Sequence, residues 1–178
     1  MDTVKDVMLE MFDSIQKHYA CFALASGGME SNRKVLKGSP PEAHAFFSDR
    51  DPREGGVTAA LKIKDLLRYS KKGGEFQDTL AKSTVVVIYS EWEEFFRPRI
   101  ARIHGVSLGG VESPLMGDIR RVRNCIVHDR SVLAEKHTKL DVLDWHLKVG
   151  KLVIDQGMLK RVIEQIREIK IGINTQKA

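Results

Sequence analysis

Cysteine is scarce: Cys21 and Cys125 are the only two in 178 residues. Two thiols so far apart do not make a disulfide framework, which excludes a small cross-linked scaffold of the secreted kind. Both are expected to be reduced, in a cytoplasmic protein. Long apolar runs are missing too. Runs such as residues 85–89 fall far short of the ~20 residues a membrane-crossing helix needs, so no membrane partner is expected. The N-terminal stretch carries Asp2 and Asp6 and lacks an apolar core, so it does not read as a secretory signal. No Walker-type phosphate loop occurs. Gly150-Lys151 is followed by Leu152 rather than Ser or Thr and lacks the upstream glycine. No cofactor is expected.

What is present describes a soluble globular chain. Hydrophobic residues make up 42% and charged residues 30%, and the length can bury a substantial core without cross-links. We read residues 1–178 as one domain. The formal net charge is +5, and the excess is clustered. Arg97, Arg99 and Arg102 form one group; Arg120, Arg121, Arg123 and Arg130 form another. Clusters of this sign favour a polyanionic partner, with nucleic acid the natural one.

Apolar periodicity predicts an all-α fold, an up-and-down bundle of about five helices. Val4, Val7, Met8, Met11, Ile15, Tyr19 and Phe22 mark the first, ending at Ser26-Gly27-Gly28. His18 and Cys21 lie one turn apart there, but a cysteine on an apolar helix is usually a small core residue. Residues 26–56 read as an irregular insertion. Within it, Ser39-Pro40-Pro41-Glu42 resembles a capping box opening a short helix to about Phe47. Residues 57–70 make a modest helix. Residues 75–103 make a long one, with a kink expected near Phe95–Arg97 because Pro98 cannot donate a hydrogen bond. Glu93 and Arg97 are four apart and can pair on its surface; the alternative is that Arg97 points toward the same cleft as His128. Alternation over residues 147–154 predicts a small β-hairpin. Asp155 then caps a last helix, striped by Leu159, Val162, Ile163, Ile166 and Ile169. His137, Asp141, Asp144 and His146 are spaced so that they could ligate a metal, but a polar connection is the commoner meaning of such a segment, and no metal site is expected.

The chemistry concentrates in residues 118–129. At ~100° per residue, Leu115, Ile119, Val122 and Ile126 share one sector of a helix. Arg121, Asn124 and His128 fall on roughly the opposite side. Arg120 and Arg123 lie on one flank and Cys125 on the other. Arginine presents a planar fork of donors that fits phosphate oxygens. Histidine can take or give a proton near neutrality. Asparagine can orient either partner.

The run Arg123-Asn124-Cys125-Ile126-Val127-His128 resembles the R-x4–6-H signature of the HEPN superfamily, including the polar residue after the arginine. Tyr89-Ser90-Glu91-Trp92-Glu93-Glu94-Phe95-Phe96-Arg97-Pro98 is similar to the Trp-Glu…Arg-Pro helix of bacterial HEPN-like proteins. The two segments cover about a quarter of the chain. Arg121 also satisfies the looser spacing. The residue following Arg123 favours Arg123; the face shared with His128 favours Arg121.

The resemblance implies a helical bundle and a metal-independent endoribonuclease, acting as a toxin or in defence against phage. On this reading Arg123, Asn124 and His128 are catalytic, and Arg120, Arg121 and Arg97 bind substrate. It also implies a homodimer pairing two motifs in one cleft, with RNA as substrate and an antitoxin or other regulatory protein as a further partner. The alternative is a HEPN-like adaptor that holds RNA or nucleotide without cutting. A bundle serving only as an oligomerisation scaffold would leave the arginines unexplained.

Overall fold

Apolar stripes become helices wherever their period holds for three or more turns. In the computed structural model, which describes residues 3–48, 51 and 55–177, the chain is mostly helical, with three small two-stranded sheets. It divides into two compact units: Met1–Phe22 with Leu80–Ala178, and Ala23–Thr79. No helix among the described residues is long and apolar enough to cross a membrane.

The first unit holds the hydrophobic core. The N-terminal turns of α1 (Val4–Leu36) contribute Val7, Met11, Ile15 and Phe22. Helix α3 (Glu75–Glu91) contributes Ala81, Val85 and Ile88, and α5 (Pro114–His128) contributes Leu115, Ile119 and Val122. Helix α7 (Gln156–Arg167) contributes Leu159, Val162, Ile163 and Ile166. The sets in α1, α5 and α7 follow the spacing read from the sequence; α3 instead buries Ala81 and Val85 and leaves Val87 exposed. As expected, Asp155 caps α7, its Oδ1 accepting the Met158 N–H at 2.8 Å.

The proline near position 98 acts through a π-turn. Trp92–Phe96 widens into this form, with the Arg97 N–H donating to the Trp92 carbonyl, before α4 (Arg97–His104) begins. An ordinary helix would set the Pro98 ring against the carbonyl four residues back and leave that carbonyl without a donor; one wide turn relieves both. Gly105, at φ 63°, closes α4 in the left-handed conformation that glycine adopts without penalty. Strand β3 (Val111–Glu112) pairs with β6 (Gly172–Ile173). The alternating segment at 147–154 supplies β5 (Gly150–Lys151), whose partner is β4 (Val132–Leu133). Between these two strands lies the single-turn α6 (Glu135–Thr138).

The second unit departs from the sequence reading in three places. First, α1 does not stop at Ser26-Gly27-Gly28 but runs on to Leu36. Neither glycine adopts the positive φ that a glycine stop requires. Second, Ser39–Glu42 does not open a helix. The Glu42 carboxylate is hydrogen-bonded by Lys62 and Lys64, which hold its pKa down to about 2, so it is not free to reach back to an N-cap. Instead His44–Phe47 forms β1, antiparallel to β2 (Ala59–Lys62), with His44 opposite Lys62 and Phe47 opposite Ala59. Third, helix α2 starts only at Ile63 and runs to Tyr69. Residues 49–50 and 52–54 of the 26–56 segment, and Asp2, lie outside the described residues.

Candidate active site

Helix α5 begins at Ser113, whose Oγ accepts the Met116 N–H, with Pro114 pre-set in the first turn. Its apolar side buries Leu115, Met116, Ile119, Val122 and Cys125, leaving Arg120, Val127 and His128 exposed. Arg123 and Asn124 are half-buried. Cys125, placed on a flank by the wheel, is fully buried; burial and the Asp129 carboxylate push its thiol pKa up.

Arg123, Asn124 and His128 come together. Arg123 Nη1 donates to Asn124 Oδ1 at 3.1 Å and lies 3.0 Å from His128 Nε2. A guanidinium has donors only. The imidazole therefore accepts at Nε2, and its proton resides on Nδ1. In this geometry the Nε2 lone pair is engaged by the guanidinium. Arg123 Nε is buried and meets no acceptor. An unsatisfied buried donor costs about 1–3 kcal/mol, and an anion drawn onto this guanidinium would remove that cost.

Arg121 is not part of this cluster, despite sharing a helical face with His128. Its Nη1 binds Asp118 Oδ1 at 2.8 Å, Asp141 Oδ2 at 2.8 Å and the Lys139 carbonyl at 3.2 Å. Asp118 is what draws it there. Its carboxylate is completely buried and accepts the backbone N–H groups of Asp141, Val142 and Leu143 at 2.7–2.9 Å. A buried carboxylate requires such compensation. In return it fixes the 139–143 segment against α5, the frame that nothing in the segment's own sequence announced.

The four residues spaced for a metal do not converge. Asp141 binds Arg121, and Asp144 faces Arg161 at 3.6 Å. His146 is exposed. His137 is buried; its Nδ1 accepts the Ala134 N–H at 3.0 Å, so its Nε2–H points to Asp129 Oδ2 at 3.1 Å. No group of three or more potential ligands assembles among the described residues. His18 likewise faces Glu91 at 2.8 Å, which also accepts from Ser14 Oγ, and it does not engage Cys21.

The chain turns sharply after His128 without glycine. Arg130 and Ser131 hold φ of 50° and 61°, and the Ser131 N–H reaches back to the Cys125 carbonyl at 2.9 Å. Left-handed backbone at a non-glycine residue costs of order 1 kcal/mol each. Backbone strain thus sits directly beside the histidine.

Arg97 forms its surface pair, with Nη1 at 3.0 Å from both Glu93 oxygens and Nε donating to the Val111 carbonyl at 3.1 Å. Together with Arg120 it lines a cavity of about 170 Å³. Arg120 makes no hydrogen bond or ion pair among the described residues. Arg97 and Arg120 therefore belong to one cavity, and Arg123 and His128 to a cluster one turn further along α5.

The chain matches no family model, no curated protein and no solved structure.

Proposed function

We propose that the protein is a metal-independent endoribonuclease of the HEPN type that cleaves RNA by attack of the 2′-hydroxyl on the neighbouring phosphorus. The observation that carries this reading is the 3.0 Å contact between Arg123 Nη1 and His128 Nε2, with Asn124 on the same guanidinium nitrogen. An electrophilic anion clamp and a proton acceptor then address the same phosphodiester.

The steps follow from RNA chemistry, since the nucleophile is built into the substrate. As Arg123 Nη1 turns from the Nε2 lone pair to the phosphoryl oxygens, His128 Nε2 takes the 2′-hydroxyl proton and the O2′–P bond forms. Arg123 offsets the charge that builds on the phosphoryl oxygens, and Asn124 orients the guanidinium. The P–O5′ bond breaks, and the leaving oxygen needs a proton. One imidazole does not hold both protonation states at once, so the partner subunit's His128 supplies it across a two-fold seam. Val127, apolar and 46% exposed beside His128, suits such a seam. The products are a 2′,3′-cyclic phosphate and a 5′-hydroxyl. As a biological role we propose a toxin or phage-defence effector.

The test is incubation of mixed RNA and single-stranded DNA with the protein in EDTA. RNA is cut and DNA is not. His128→Ala and Arg123→Ala each reduce cutting by about 10²–10⁴-fold. Tight RNA binding with no cutting by any of the three proteins would overturn the nuclease reading in favour of a non-catalytic adaptor.

A further inference from the structure

The cavity that holds Arg97 and Arg120 lies entirely within the first unit, between the π-turn and the opening turns of α5. Trp92 and Met116, both almost fully buried, form its apolar wall. Its polar wall carries the Tyr89 hydroxyl, which donates to Glu93 Oε2 at 3.1 Å, and the Glu93–Arg97 pair. Burial and then the Glu93 carboxylate raise the Tyr89 pKa, so the phenol keeps its proton and stays a donor.

Gly117 is the informative residue. It lies inside α5, where glycine is about 1 kcal/mol worse than alanine. Yet a Cβ built there meets nothing within 4 Å, so no protein atom requires the glycine. Gly117 also lines the cavity. Helix packing gives no reason to leave that space open, whereas a ligand entering it does. Arg120, three residues on, lines the same cavity, its charge felt by the Tyr89 hydroxyl.

We propose that this cavity holds one pyrimidine nucleotide of the RNA strand, with its base against Trp92 and Met116 and its phosphate on Arg120. The size argument is direct. A cavity of roughly 150 Å³ admits a benzene-sized ring, so about 170 Å³ seats one six-membered ring and leaves the second ring of a purine outside it. The polar wall provides a donor from Arg97 Nη2 and acceptors from Glu93 and the Tyr89 oxygen for the edge of such a base. Arg120 precedes Arg123 by three residues, a rise of about 4.5 Å along the helix. The bound nucleotide is therefore adjacent to the phosphate held by Arg123 and His128. The identification of the occupant rests on the ribonuclease reading; the cavity would then impose a pyrimidine preference next to the cleaved bond.

Calorimetric titration with the 3′,5′-bisphosphates of cytidine, uridine, adenosine and guanosine tests this without any cleavable bond. The pyrimidine compounds bind the wild-type protein saturably, and the purine compounds bind at least about tenfold more weakly. Gly117→Leu fills the cavity and Arg120→Gln removes the phosphate contact; each weakens pyrimidine binding by about tenfold or more. Gly117→Leu keeps or raises the melting temperature, which separates ligand loss from misfolding. Equal binding of purines, undiminished binding by Gly117→Leu, or no saturable binding at millimolar ligand would each overturn the proposal. RNA cutting by the same preparation without this binding would leave the nuclease reading intact and remove the pocket. Binding that Gly117→Leu abolishes, with no RNA cutting, would do the reverse.

Discussion

Arg123 uses a single nitrogen for two contacts, and that economy ties three side chains to one group. Nη1 meets both Asn124 and His128, so one rotamer of one side chain sets the positions of all three. The supporting residue is Asp118, whose buried carboxylate collects three backbone N–H groups and Arg121. Asp118→Ala strands those donors in the interior. It should cost about 3–5 kcal/mol in urea unfolding, and a loss below 1 kcal/mol would show that the 139–143 segment holds itself. Cys125 offers a second check. Burial raises its pKa, so at pH 8 a thiol reagent should modify the exposed Cys21 and spare Cys125 until the protein unfolds. The sign of the linked stability follows. As pH rises past the ordinary thiol value of 9.0, the unfolded chain loses that proton before the folded chain does. Stability therefore falls above that pH, and Tyr89, also raised, adds to the decline. Thermal melts from pH 8 to 10 would read it.

At the level of elements, what was legible depended on the length of the repeating pattern. Helices α5 and α7 repeat their apolar positions over three or more turns, and their buried residues match the stripe. Pro98 announced a disruption, but its form, a π-turn at Trp92–Phe96, depends on how neighbouring carbonyls find donors, which spacing does not encode. The short elements were misread for a related reason. His44–Phe47 spans four residues, too few for periodicity to tell strand from helix, and Glu42 was diverted from capping by two lysines twenty or more positions away. In the candidate site, Arg123, Asn124 and His128 were recognisable because they are local in sequence. Which arginine meets His128 was not, since Arg121 is held away by Asp118 and by Asp141, the latter brought in by tertiary structure. Gly27-Gly28 shows the limit of punctuation by residue type: both sit inside α1 with open space around them. Gly27→Ala and Gly28→Ala should each therefore stabilise the chain by about 0.5–1 kcal/mol. A loss of stability in chemical denaturation would place a helix break there after all.

For the whole molecule, the proposal needs two chains. Each contributes one His128, and the exposed apolar Val127 lies next to it. Sedimentation at micromolar concentration should give the mass of two chains. Val127→Glu, by placing like charges and a desolvated carboxylate at the seam, should shift that mass to one chain and abolish RNA cutting while leaving the melting curve cooperative. A monomeric wild-type protein that still cuts RNA would remove the two-histidine scheme.

The most direct measurement uses a DNA oligonucleotide carrying one ribonucleotide, a pyrimidine, incubated with the protein in EDTA and analysed by mass spectrometry. The account predicts a single cut at the ribose, leaving a 2′,3′-cyclic phosphate and a 5′-hydroxyl, with neither product formed by His128→Ala. Cutting at deoxyribose positions, a 3′-hydroxyl end, or equal cutting by His128→Ala would contradict it.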